Sequence, residues 1–125
     1  MLDPAPVIHV GPSPRFAGGI GASMVVLCAH SPVPATIIPS WEPRGRIRQV
    51  RVAARAAVAI ARAPRDAVIH VHMAADGSAV RKGLLIRIAR LTGHATVATI
   101  HGSGFEASTR EIGRASCRER VYVLV

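Results

Sequence analysis

The sequence is short of aromatic and of acidic residues. Its 125 residues include one Trp, one Tyr and two Phe, too few to predict the aromatic platforms on which single-stranded nucleic acids stack. Seven acidic residues stand against sixteen basic ones, so the formal net charge is +9. Such a surface attracts phosphate groups, whether on a nucleotide-linked substrate or on an anionic membrane. Because no helix-turn-helix, zinc-finger or RNA-recognition signature is present, we expect no nucleic-acid partner.

Cysteines and long apolar runs are scarce as well. Cys28 and Cys117 are far apart and form no CxxC pattern, which predicts neither a zinc site nor a disulfide framework. No apolar run approaches the roughly 20 residues of a membrane-spanning helix, and the first residues lack the basic and apolar regions of a signal peptide. We therefore expect a cytoplasmic protein. The basic surface adds the alternative of peripheral contact with the inner face of the membrane.

Four short apolar segments alternate with three helical ones. The strands are predicted over residues 6–10, 35–39, 67–73 and 95–101, and the helices over residues 22–29, over residues 47–63 and between Gly77 and Gly93. This alternation predicts an α/β fold with a Rossmann-like parallel sheet, right-handed crossovers and flanking helices. The length suits one domain, which we expect over residues 1–110.

The two longer helices differ in what their faces carry. The third helix repeats apolar residues at helical spacing, which predicts its buried face: Val80, Leu84, Ile88 and Leu91. Its basic residues are predicted on the remaining surface: Arg81, Lys82, Arg87 and Arg90. The second helix carries four arginines on one face: Arg48, Arg51, Arg55 and Arg62. We expect this face to be solvated, with contact to anionic lipid as the functional alternative.

Histidines stand at the ends of two predicted strands. Ligands of open α/β sheets bind beyond the carboxyl ends of the strands, which favours His101 as a site residue, because an imidazole can donate a hydrogen bond or act as an acid or base. His70 and His72 lie on one face of their strand, as paired metal ligands do. Metallo-hydrolases of this pattern need an Asp where Ala74 stands, so we expect no metal. We place His70 inside the sheet and His72 at the edge of the cleft.

A glycine-rich turn precedes the first helix. Glycine at the head of a helix lets a ligand approach the backbone, where unpaired N–H groups can receive an anion. The functional interpretation is that the backbone N–H groups at Gly18 to Gly21 face a phosphate or a sugar hydroxyl. The alternative is that the glycines only permit a turn and close helix packing. A dinucleotide fingerprint is excluded, because Met24 stands where Gly or Ala is required.

Four motifs, taken in their order and spacing, carry a family resemblance. They are the glycine turn, Asp66 to His72, Arg81 to Leu85, and Thr99 to Ser103. Over residues 6–107 the chain resembles the N-terminal, acceptor-side domain of family four glycosyltransferases of the GT-B type. The resemblance implies two Rossmann-like domains around a cleft in the whole enzyme. It also implies retaining transfer of a sugar from a nucleoside-diphosphate sugar to a hydroxyl acceptor (a glycan, a lipid or a small molecule), with no metal or other cofactor.

The resemblance also implies roles for particular residues. Gly18, Gly19 and Ile20 would lie against the donor phosphates and the acceptor, and so would Gly102 and Ser103. His101 would be the catalytic residue, in contact with the donor sugar and its leaving phosphate. Many relatives have Asp after the Gly-Ser pair, where this chain has Gly104, so no role is carried over to that carboxylate.

The end of the chain differs in character. Residues 111–121 are similar to a translated sequencing adapter, so we expect residues 111–125 to be an artefactual, disordered tail and the transferase to be truncated and inactive alone. Two other functions stay open. One is a basic α/β module that binds nucleic acid or anionic lipid, and the other is a metal-dependent hydrolase that uses His70, His72 and His101.

Overall fold

The sheet that the sequence predicts is present, with helices on its faces. A computed structural model describes residues 3–74, 79–101 and 121–124 of the protein. The elements in chain order are β1 (Val7–Pro12), α1 (Gly19–Ala29), β2 (Ala35–Trp41), α2 (Arg46–Arg62), β3 (Val68–Ala74), α3 (Ala79–Leu91), β4 (Ala95–His101) and β5 (Val121–Leu124). The predicted α/β, Rossmann-like class is confirmed.

The strands are arranged in the order β2-β1-β3-β4-β5, and every neighbouring pair is parallel. From β1 the chain moves one way to β2, and it then returns past β1 to β3. The order therefore reverses between β1 and β3. In open parallel sheets such a reversal separates the loops of two neighbouring strands and leaves a crevice at their carboxyl ends.

One face of the sheet packs against α2 and α3 to form the core. Side chains alternate between the two faces along a strand, and Val10, Val71 and Ala98 are fully buried on this one. Small side chains let α2 lie close to the sheet, since Ala56 is 1% exposed. The opposite face carries His9, which α1 helps to cover.

The contact between α1 and the sheet depends on Gly11. A Cβ added there would lie 2.8 Å from Met24 Sδ and 3.5 Å from His72 Cβ. Because glycine has no side chain, Met24 and His72 can both lie close to its Cα. Met24 is completely buried.

The buried face of α3 is not the predicted one. Val80, Leu84 and Leu91 are 80%, 58% and 79% exposed. The sheet instead covers a stripe with helical spacing that includes the helix's single lysine: Lys82, Leu85, Ile86 and Ala89. Apolar residues surround most of this helix, so their repeat did not single out one face, and a lysine stem can pack like a hydrocarbon chain.

The arginine face of α2 is solvated, as predicted. Arg48, Arg51, Arg55 and Arg62 are all exposed. At 17 residues α2 is also longer than α1 or α3. Of the helices in the described parts of the chain, none is long and apolar enough to cross a membrane.

A fifth strand forms where the sequence predicts a disordered tail. Val121–Leu124 pairs in parallel with β4, from Thr96 onwards, and the expectation of disorder over residues 111–125 stays a prediction. The sequence of this strand, Val-Tyr-Val-Leu, has high strand propensity, and the edge of β4 offers unpaired backbone groups to any such segment. The predicted artefactual origin of the tail stays a prediction, and residues 102–120 lie outside the described ranges.

Candidate functional site at the carboxyl edge of the sheet

Several predicted site residues follow strands that end at one edge of the sheet. The glycine turn follows β1, α3 begins after β3, and His101 is the last residue of β4. Neighbouring strands are spaced by about 4.8 Å, so the ends of β1 and β4 lie roughly 10 Å apart with β3 between them. A ligand of moderate size can bridge that distance. Gly102 and Ser103 lie outside the described residues.

The head of α1 is open where the predicted ligand contact lies. A Cβ added to Gly18 or Gly19 would meet nothing within 4 Å, and Ile20 is half-buried. Gly18 has φ 167° and ψ 143°, an extended backbone that any residue adopts, and no side chain caps the helix. Because nothing lies close to these two positions, the packing of the turn does not require glycine at either of them. The first N–H groups of a helix also have no partner within the helix.

Gly21 behaves differently from its neighbours. A Cβ there would lie 3.3 Å from Pro14 Cα and 3.6 Å from the Ser13 carbonyl oxygen. Close packing thus accounts for Gly21, whereas it leaves Gly18 and Gly19 unexplained. The packing interpretation of the turn therefore applies to Gly21.

Four histidines line the face of the sheet opposite to α2 and α3, and we call them the histidine row. They are His9 from β1, His70 and His72 from β3, and His101 from β4. His9 and His70 are register partners. His9 Nδ1 lies 3.0 Å from His72 Nε2, and His72 Nδ1 lies 3.2 Å from His101 Nε2. The rings of His70 and His72 are stacked with their centroids 4.2 Å apart.

The four histidines of the row differ in burial. His72 is 1% exposed and His9 is 5% exposed, while His70 and His101 are half-buried. That His72 borders the cleft stays a prediction, and its side chain is almost completely covered. The approach of β1 at Gly11 covers His72 from one side, and its histidine neighbours cover it from the others. It reaches the cleft only through His101.

Burial keeps the interior of the row uncharged. Burial, reinforced by the neighbouring histidines, lowers the pKa of His72 to about 3 and that of His70 to about 4. Burial also lowers the pKa of His9. At neutral pH these imidazoles are neutral, so each carries one N–H and one lone pair.

Because these rings are neutral, the position of the proton on one ring fixes the position of the proton on the ring beside it. His72 has a histidine partner at each ring nitrogen, so it must donate one hydrogen bond and accept the other. If it donates to His9, His101 Nε2 must donate to it; if it donates to His101, His9 Nδ1 must donate to it. The tautomer of His101 at the sheet edge is therefore coupled to that of His9 inside the sheet.

Two residues of the site could not be found from the sequence. His9 lies within the predicted first strand, but only the parallel register places it beside His70. Lys82 is predicted on the surface and is 3% exposed. Burial, reinforced by the charge of Arg81, lowers the pKa of Lys82 to about 8, and the charge of Lys82 in turn helps to lower the pKa of His72.

The histidine row also contains a group with the ligand atoms that a metal requires. Within the described ranges, His9, His70 and His72 each offer a ring nitrogen, and these atoms all lie within 4.8 Å of one another. The metal-dependent hydrolase hypothesis uses His101 in place of His9, whereas the group of ligand atoms found in the described residues contains His9.

Comparisons with family models, with curated proteins and with solved structures found no match to this chain. The resemblance to glycosyltransferases therefore depends on the sequence motifs alone and stays a prediction.

Proposed function

We propose that this chain is the acceptor-side part of a retaining glycosyltransferase, which moves a sugar from a nucleoside-diphosphate sugar to a hydroxyl acceptor. The observation that carries the proposal is the open head of α1. Gly18 and Gly19 have free space around them, at the edge of the sheet where the strand order reverses. Neither position needs glycine for packing, and close approach of a ligand to the backbone explains both.

The charges around this edge suit a diphosphate leaving group. As the bond between the sugar and the diphosphate breaks, negative charge develops on the phosphate oxygens. The N–H groups at the head of α1 stabilise that charge through the helix dipole. Lys82, in the first turn of α3, adds a positive charge near His72 at neutral pH.

Nδ1 of His101 can donate or accept a proton, and the hydrogen bonds of the histidine row decide which of the two it does. When His72 donates to His101 Nε2, the proton of His101 is on Nδ1, which can donate to a sugar or phosphate oxygen. In the other tautomer Nδ1 carries a lone pair and can accept a proton from a hydroxyl group. The same residue thus serves substrate binding or acid–base chemistry.

Ligand binding at the head of α1 tests the proposal directly. Nucleoside diphosphates, nucleoside-diphosphate sugars and sugar acceptors are titrated into the labelled chain, and the amide NMR signals of Gly18, Gly19 and Ile20 are followed. We expect saturable shifts with at least one of these ligands. Gly19→Val fills the open space and should abolish the shifts, while Ala29→Val, at the exposed far end of the same helix, should preserve them.

Two results would contradict the proposal. One is the absence of saturable shifts with every ligand of these classes, and the other is equal binding by Gly19→Val and the unmodified chain. We also expect no sugar transfer by the chain alone, because the resemblance assigns most donor contacts to a second domain. A coupled assay for nucleoside diphosphate release measures that turnover.

A further inference from the structure

We propose that His9, His70 and His72 form a binding site for a transition-metal ion, held on the face of the sheet opposite to α2 and α3. Their ligand nitrogens all lie within 4.8 Å of one another. His70 and His72 alone would be a pair, and β1 adds the third imidazole through the register of His9 with His70. This site is separate from the ligand contact proposed at the head of α1.

The distances approach those of a metal centre. Zinc binds imidazole nitrogen at about 2.0–2.1 Å in tetrahedral geometry, which separates two ligand nitrogens by about 3.4 Å. His9 Nδ1 and His72 Nε2 are 3.0 Å apart, so a small rotation of the two rings admits an ion between them. His70, on the same face of β3 as His72, offers the third nitrogen within 4.8 Å of the other two.

The ligands are held by the most regular part of the fold. β1 and β3 are neighbouring strands inside the sheet, with β2 and β4 on their outer sides. Backbone pairing on both sides fixes the Cα positions of His9 and His70, and pairing with β4 fixes that of His72. A site built on such elements loses little entropy when it binds its ion.

Partners on β4 orient two of the three rings. Thr99 Oγ1 lies 2.7 Å from His70 Nε2, and His101 Nε2 lies 3.2 Å from His72 Nδ1. Histidine ligands of metals commonly hydrogen-bond through their second nitrogen, which fixes the ring and raises its basicity. In this arrangement His72 binds the ion through Nε2 and donates from Nδ1 to His101, and His70 binds through Nδ1 and donates from Nε2 to Thr99.

The chemistry of the donors selects the class of ion. Three imidazoles suit Zn²⁺, Cu²⁺, Ni²⁺ or Co²⁺, whereas Mg²⁺ and Ca²⁺ prefer oxygen ligands.

Titration of the untagged chain with Zn²⁺ and Co²⁺ tests the site. We expect one ion per chain, the visible absorption of Co²⁺ with nitrogen ligands at low coordination number, and shifts of the ring-nitrogen NMR signals of His9, His70 and His72. His70→Gln should weaken binding by more than roughly a factor of 10. His30→Gln removes an exposed histidine at the far end of α1 and should leave binding unchanged.

The variants must be folded for the comparison to decide. Circular dichroism and thermal unfolding without metal establish this for His70→Gln, which is chosen because His70 is only half-buried. The inference is overturned if the folded chain binds no ion in a one-to-one ratio, or if His30→Gln weakens binding as much as His70→Gln does. No sugar ligand enters the experiment, so its outcome is independent of the proposed transferase function.

Discussion

At the scale of single residues, His72 has the most constrained surroundings of the histidine row. It is 1% exposed and has a histidine within hydrogen-bond distance at each ring nitrogen. A burial of this kind is favourable only when both nitrogens are satisfied. The H-x-H spacing correctly puts His70 and His72 on one face. The spacing cannot indicate how deeply the two side chains are buried, because their burial depends on the residues of β1 and α1 that pack over them.

Gly11 provides a residue-scale test of the packing around His72. Gly11→Ala puts a methyl group 2.8 Å from Met24 Sδ and 3.0 Å from its Cε. Met24 is fully buried and has little room to move, so we expect the free energy of unfolding to fall by about 1 kcal/mol. Urea denaturation measures the change.

A matched glycine serves as the control for that variant. Gly18→Ala adds the same methyl group where nothing lies within 4 Å, and its extended backbone accepts any residue. Its unfolding free energy should stay within about 0.5 kcal/mol of the parent value. Equal losses from the two substitutions would contradict the close contact between Gly11 and Met24.

At the scale of elements, α2 presents a basic face to solvent. Arg51 and Arg55 lie in its middle and are both exposed. Anionic lipid attracts such residues by about 1 kcal/mol each near the membrane surface. We expect the chain to sediment with vesicles that contain phosphatidylserine, and the double variant Arg51→Gln with Arg55→Gln to bind them several times more weakly.

The control for the lipid experiment keeps the same net charge. Arg65→Gln with Arg87→Gln also removes two exposed arginines, but from other elements, and should weaken binding less. Binding should also fall as salt is added, because screening shortens the reach of exposed charges. Equal losses in both double variants would mean that total charge, and not the face of α2, governs the attraction.

Elements were more predictable than their contacts. Alternating β-branched runs and helices suffice to place three helices and four strands, since each signal is local. The buried stripe of α3 was not predictable, because apolar residues on several sides leave the choice to the sheet. The histidine row was only partly predictable. His101 follows from its place at a strand end, whereas His9 requires the register between two strands that are distant in the sequence.

At the scale of the whole molecule, the histidine row makes stability depend on pH. The folded pKa values of His70 and His72 are about 4 and about 3, while an unfolded histidine titrates near 6.5. Between these values the unfolded chain binds more protons, so stability rises with pH. The contribution is complete above about pH 6.5 and is lost as the pH falls through that window.

We therefore expect the free energy of unfolding to fall on the order of 4 kcal/mol between pH 7 and pH 5, roughly half of it from each of the two histidines. Urea denaturation in the presence of a chelator measures it, so that bound metal does not contribute. His70→Gln should reduce the dependence on pH, and His30→Gln should not alter it. A free energy that is the same at both pH values would show that the row accepts protons as readily as unfolded histidine does.

The strand order described above also bears on how the chain folds. β1 pairs with β2, which follows it closely, and with β3, which follows much later: Val7 is opposite both Ala35 and Val68. During synthesis the β1–α1–β2 unit can form first, while the other edge of β1 stays open. Pairing between distant segments slows folding, and β3 is the strand that covers the open edge of β1. Until β3 arrives, His9 lacks its neighbours His70 and His72, so the histidine row cannot form.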